Sequence, residues 1–159
     1  MTIDKIELRN ALGSFATGIT IVTAVGPQGD LLGITANSFN SVSLDPPLVL
    51  FSLARGAYSL KAFQASGAFA INVLREDQEH LSSNFARALV DKWSNVPYET
   101  WVTGSPILKE AIASFDCEVH SMYDGGDHVI FVGRVLQLRC NAEESPLLYF
   151  RGRYARLAR

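Results

Sequence analysis

The chain has few cysteines, no basic run and no long apolar run, and each shortage excludes something. Only two cysteines occur in 159 residues, Cys117 and Cys140. Two are too few for a disulfide framework, and these lie too far apart for a local metal-ligand pair, so both are expected to be reduced. The formal net charge is −2, and no unbroken basic run occurs. The electrostatic footprint of a nucleic-acid or anionic-membrane partner is therefore missing. No apolar run approaches the roughly 20 residues that span a bilayer. The opening residues, MTIDKIELRNAL, lack the basic-then-apolar pattern of a signal peptide, and the cytoplasm is the default setting. There is no GxSxG, no HExxH, no Cys/His cluster, and no GxGxxG turn between a strand and a helix. Serine hydrolysis, zinc chemistry and the usual dinucleotide-binding fold lack support.

What is present is a 48% hydrophobic chain, long enough for one real core and too short for two domains of ordinary size. We read residues 1–159 as a single domain. Its organising stretch is Leu31 to Leu53, LLGITANSFNSVSLDPPLVLFSL. The ends read as β-strand, but Thr35 to Ser43 places Thr, Asn and Ser where a core strand would carry Val, Ile or Leu. Such a row supplies short donors and acceptors at fixed spacing, suited to a flat, heteroatom-rich ligand such as a flavin ring along a sheet edge. An apolar-ligand carrier would leave those groups unsatisfied.

Around that stretch the periodicities predict the rest. Leu8, Ala11, Leu12 and Phe15 form one helical face, with Asp4 as cap. ITIVTAV and the turn residues Pro27 to Asp30 predict a strand and a hairpin whose returning strand carries the polar row, until Asp45, Pro46 and Pro47 break it. A helix is expected from Ala57 through Leu60 and Phe63 to Gly67. Ser52, Arg55 and Ser59 gather at its start, where a phosphate would be at home; from this stretch alone, ordinary capping and a solvated arginine are the better explanation. FAINVL (69 to 74) reads as a buried strand. Asp77 to Leu89 reads as a helix with Leu81, Phe85, Ala88 and Leu89 on one face and His80 in solvent. The segment 91 to 104 reads as an irregular loop. Phe115, Cys117 and Val119 should face inward, with Asp116, Glu118 and His120 outward. Tyr123 to Asp127 is the strongest turn signal, opening a long hairpin with 129 to 140, and LLYF is the last strand. Six or seven strands joined mostly by hairpins favour a closed antiparallel barrel over a parallel sheet. His128 reads from its position alone as a surface residue.

Three segments in order, GITANSFNSVSLDPPLVLFSL, DGGDHVIFVGRV and PLLYFRGRY, resemble the flavin reductase-like family, the small reductase components of two-component flavin-dependent monooxygenases. The resemblance covers nearly the whole chain. It implies a mainly β, antiparallel Greek-key split barrel with a few flanking α-helices, acting as an NAD(P)H:flavin oxidoreductase. It implies FMN or FAD, NADH or NADPH as hydride donor, a homodimer, and a separate oxygenase as partner. The flavin would lie across Thr35, Ala36, Asn37 and Ser38, with Ser41 and Ser43 further along. Ser52, Leu53, Ala54, Arg55 and Ser59 would meet the ribityl phosphate, and Phe85, Ala86 and Lys92 would flank it. Arg87, Lys92 and Trp93 depart from the Gly, Arg and Phe common in the family. The resemblance reverses the reading of His128, assigning it to NAD(P)H binding and hydride transfer, with Arg151 and Tyr154 beside it. The alternative for those two is a solvated last strand; the alternative for the whole is a flavin-binding or redox-sensing module without turnover.

Overall fold

The computed structural model describes residues 1–88 and 91–159. Helix α1 (Lys5–Leu12) opens on the expected cap, the Asp4 carboxylate accepting from the N–H groups of Ile6 and Glu7, both at 2.9 Å. Its apolar face is uncovered: Leu8, Leu12 and Phe15 are all exposed. After β1 (Thr17–Gly18), strand β2 (Thr20–Val25) turns into β3 (Leu31–Ala36). Here one expectation fails. The polar row is not one strand, because β3 stops at Ala36 and β4 (Asn40–Leu44) starts anew, pairing instead with β5 (Pro47–Ala54).

The remaining elements are α2 (Leu60–Ser66), β6 (Ala68–Val73), α3 (Glu79–Phe85), β7 (Tyr98–Thr100), β8 (Pro106–Leu108), β9 (Ala113–Gly125), β10 (His128–Cys140), β11 (Leu148–Phe150) and β12 (Arg153–Ala155). Seven strands form one antiparallel sheet in the order β3-β2-β6-β9-β10-β5-β4. Its outermost strands, β3 and β4, are neighbours in sequence. Laid flat, six gaps of about 4.8 Å would hold them about 29 Å apart. The link from Ala36 to Asn40 spans at most about 14 Å, so the sheet must curl until its edges meet. The result is an antiparallel Greek-key split barrel. Among the described residues no ladder joins β3 to β4 or β5. Instead, the Ser38 hydroxyl accepts from the Ser52 N–H at 2.9 Å and donates to the Ser52 carbonyl at 3.1 Å.

Inside the barrel Phe51 lies against Phe69 and Phe131, with ring centroids 4.8 and 4.9 Å away. Gly133 makes room: a Cβ there would stand 2.4 Å from the Phe69 ring. A second apolar cluster, including Ile19, Leu74, Phe85, Leu108 and Leu147, packs α3 and the short sheets onto the outside. Asn72 is a buried side chain that bridges these layers by polar contacts. It donates to the Ile21 carbonyl and accepts from Leu108 N–H and the Ser114 hydroxyl, so its burial leaves nothing unpaired.

Cys117 is buried and His120 and His80 are exposed, as expected. Asp116 is not outward in solvent: it is fully buried, accepting from the Thr103 N–H at 3.0 Å and from the Thr103 hydroxyl. A loop covers that face of β9, which alternation within the strand cannot reveal. The segment 91 to 104 is not wholly irregular, since β7 lies in it and pairs with β8. LLYF is not the last strand; Arg151 and Gly152 turn it into β12. Helix α2 begins at Leu60, later than predicted, and α3 ends at Phe85, leaving Ala88 beyond it. Leu89 lies outside the described residues. No helix among the described residues is long and apolar enough to cross a membrane.

Candidate functional site

Where β3 and β5 part, they leave a cavity of about 640 Å³, within the range of small-molecule sites. One wall depends on Gly33. A Cβ there would sit 2.5 Å from the Phe85 ring and 3.2 Å from Trp93, so only glycine lets these rings close onto the strand. Phe85 and Trp93 meet edge to face with centroids 5.0 Å apart. Lys92 fastens the same corner, donating from Nζ to the Gly33 carbonyl at 3.0 Å and the Phe85 carbonyl at 3.1 Å. Burial lowers the pKa of its amine. No carboxylate pairs with it among the described residues, which leaves a positive group available to an anion.

Thr35, Ala36, Asn37 and Ser38 all line the cavity, but they are not equivalent. The Thr35 hydroxyl donates to the Ser82 carbonyl at 2.6 Å, and Ser38 is engaged with Ser52. Asn37 is exposed, and its side-chain amide has no hydrogen-bond partner among the described residues. It is therefore the polar group of this row offered to a ligand. Ser52, Leu53 and Ala54 face it from the end of β5, with Ser59 at the start of α2. Ser59 makes no side-chain cap bond. Ala86 joins Phe85 and Lys92 on the third side.

His128 stands where the β10–β5 ladder ends, opposite Ala54, and it lines the cavity. Its Nδ1 is 2.7 Å from the Asp127 carboxylate. That hydrogen bond, then the charge of His128, holds the Asp127 carboxyl below its usual range. With Asp127 ionised, Nδ1 carries the proton and Nε2 is the nitrogen left over.

The other sequence-derived residues are placed elsewhere. Ser41 and Ser43 sit on the outer strand β4 and do not line the cavity; the break at residues 37 to 39 ends the regular spacing that pointed to them. Arg55 turns away from the cavity toward the β9–β10 turn. Arg151, in the β11–β12 turn, lies 4.9 Å over the Phe150 ring. Tyr154 lines a smaller adjoining cavity of about 210 Å³, shared with Thr35, Ala36 and Asn37, and its hydroxyl is 2.9 Å from that of Ser82. The sequence reading missed Gly33 and Tyr58 as wall residues. A glycine in mid-strand was the available signal for the first; nothing marked the second. No group of three metal-ligating side chains occurs among the described residues.

The walls are thus apolar faces with a few convergent polar groups and, in Lys92, an ammonium without a carboxylate partner among the described residues, a donor set that fits a flat ring system bearing a phosphate. Comparison with known proteins identifies the family. The family model described as "Flavin reductase like domain" matches residues 12–158. A "Flavin reductase" of Pseudomonas putida is 40% identical over 156 residues, covering 98% of this chain and 92% of that protein. The "FMN reductase (NADH) SmoA" of Agrobacterium fabrum is 42% identical over 153 residues, covering 96% and 86%. The chain spans 48% of one further relative, the "Probable flavin reductase" of Rhizobium meliloti. Among solved structures, the NADH:FAD oxidoreductase SgcE6 of Streptomyces globisporus superposes with a TM-score of 0.92 at 36% identity, covering 100% of this chain and 98% of that one. With a model match over nearly its whole length and full-length relatives at such identity, this chain belongs to the flavin reductase-like domain family.

Proposed function

We propose that the chain is an NAD(P)H-dependent flavin reductase that reduces FMN or FAD and releases the product to a separate monooxygenase component. The observation that carries this reading is the cavity at the barrel's split. It holds a free amide (Asn37), a hydroxyl without a cap bond (Ser59) and an unpaired ammonium (Lys92) along one wall system, with His128 beside Ala54. A bound flavin would supply the acceptor, its N5, for the hydride of nicotinamide C4. The protein's part is to hold and orient. Leu53, Ala54 and Ala36 offer apolar contact to a ring system, and Asn37 bonds its polar edge. Phe85 and Ala86 flank it, while Ser59 and Lys92 meet the phosphate. His128 meets the nicotinamide, and Tyr154 extends the site through the adjoining cavity.

The relatives' names supply the wider setting. Among them are the reductase subunit HsaB of a flavin-dependent monooxygenase of Rhodococcus jostii, and a styrene monooxygenase flavin reductase of Pseudomonas putida. We take residues 1–159 as one functional domain working in the cytoplasm, where its two free cysteines would stay reduced. We take it to pair with a second copy through exposed apolar residues, among them Leu44 at 95% and Phe15 at 80% exposure. A sedimentation run returning a monomer would overturn the pairing.

The test is anaerobic consumption of NADH, then NADPH, by purified protein with FMN or FAD in excess. Many turnovers with bleaching of the flavin band are expected, and the rates rank both nucleotides. Flavin binding without turnover would leave a binding or sensing module, and absence of both would overturn the assignment.

A further inference from the structure

Arg55 entered as a candidate phosphate ligand, and the geometry gives it different work. The β10–β5 ladder ends at the pair His128 and Ala54, so the turn joining β9 to β10 projects past the sheet without a strand beside it. That turn is tight: Gly126 takes a φ of 74°, and a Cβ on Gly125 would lie 3.2 Å from the His128 carbonyl. Arg55, the first residue beyond β5, holds it at three points. Its N–H donates to the Asp127 carbonyl at 2.9 Å, its Nε donates to the Gly126 carbonyl at 2.8 Å, and its guanidinium pairs with the Asp124 carboxylate.

We propose that Arg55 is a positioning residue for hydride transfer: it pins the Asp124–Asp127 turn to the end of β5, so that His128 stands at the cavity, and does not itself hold the flavin phosphate. This rests on the reading that His128 meets the nicotinamide. A planar fork suits the task, since it reaches a carbonyl and a carboxylate at once where an ammonium offers one point charge. The tether is also cheap for the fold to lose. The Arg55 and Asp124 side chains are 48% and 79% exposed, and exposed pairs contribute little stability. An Arg55→Ala variant should therefore fold, and its defects will report on the site. Asp127, bonded to Nδ1, acts after the turn is placed and sets the rotation of the ring.

The experiment combines ligand titration, steady-state kinetics and NMR of the histidine rings in Arg55→Ala, Arg55→Lys and Asp124→Asn, each with and without His128→Ala. Arg55→Ala should leave FMN and riboflavin affinities unchanged and lower kcat/KM for the reduced nicotinamide by about tenfold, the scale of a small misplacement. Arg55→Lys should recover part of this, and Asp124→Asn should lose part of it. In the His128→Ala background the Arg55 substitution should add nothing, because both act on one contact. The His128 ring signals should move in Arg55→Ala while those of His80 and His120 stay put. Weaker binding of FMN but not of riboflavin would overturn the proposal by making Arg55 a phosphate ligand. A full additive loss in the His128→Ala background would overturn it too, as would an unmoved His128 signal. A His128→Ala variant with normal turnover would instead sink the underlying reading of His128, a failure visible without any Arg55 variant.

Discussion

On the side of the barrel built from β6, β9, β10 and β5, every strand has a ladder partner and the space beneath is filled by Phe51, Phe69 and Phe131. On the opposite side, where β3 approaches β5, no ladder forms among the described residues, and single side chains do the joining. Ser38 clasps Ser52 across the gap, while Thr35 to Ser82 and Lys92 to Gly33 and Phe85 tie the edge strand β3 to α3. The first side is stabilised mainly by burial of apolar surface, the second by hydrogen bonds worth about 1 kcal/mol each net. An unzipped seam is weaker, but it is also where a cavity can open onto main-chain and amide groups. The site is located where the sheet declines to close.

Four substitutions probe this contrast. The largest effect is expected on the packed side: Phe51→Ala should cost about 3–5 kcal/mol in urea unfolding, and a loss below that of any seam variant would show that the aromatic stack is not the main support. Gly33→Ala comes next. Its methyl would press on Phe85 at 2.5 Å, for about 1–3 kcal/mol of strain, with weaker flavin binding as the wall shifts; unchanged stability would mean that Phe85 moves freely. Ser38→Ala should cost about 1–2 kcal/mol by leaving the main-chain N–H and carbonyl of Ser52 without this partner, and a silent mutation would show that water closes the seam as well as the hydroxyl does.

The smallest effect concerns Cys117 and appears only in alkali. Burial, then the neighbouring Asp116 charge, pushes its thiol up from 9.0 to about 12. Above pH 9 the unfolded chain loses this proton while the folded chain keeps it, so stability falls as pH rises toward 12. Between pH 9 and about pH 10 the loss attributable to Cys117 should be about 1 kcal/mol. Cys117→Ala should flatten the urea midpoint over that interval; an identical slope in both proteins would show that the thiol is not titrating.

Much of the packed side was legible in the sequence because its signals are local. FAINVL and the inward Cys117 follow from short-range pattern and stand as expected, and the turn expected over Tyr123 to Asp127 is there but narrows to Gly126 and Asp127. The seam was legible only in composition. Thr, Asn and Ser announced a site between residues 35 and 43, yet which hydroxyls were free depended on partners 14 or 47 residues away. The same limit applied to Asp116, whose covering loop is distant in pattern though near in sequence, and to Arg55. Its charge suggested an anion, but its partner is a carboxylate 69 residues further on. β12 was missed because three residues after a turn carry too little periodicity to register.

The placement of β3 and β4 on opposite outer edges of the sheet also orders events in time. Residues 37 to 39 join two strands that become neighbours only after the five strands between those edges have paired, through contacts such as β6 with β9 that are remote in sequence. Such pairings form slowly, since each must close a long loop before it is rewarded. The cavity is consequently a late product of folding, and a partly assembled chain has two half-walls and nothing between them. Recovery of ligand binding after dilution from denaturant should trail recovery of strand signal, which makes occupancy of the site a reporter for the finished molecule.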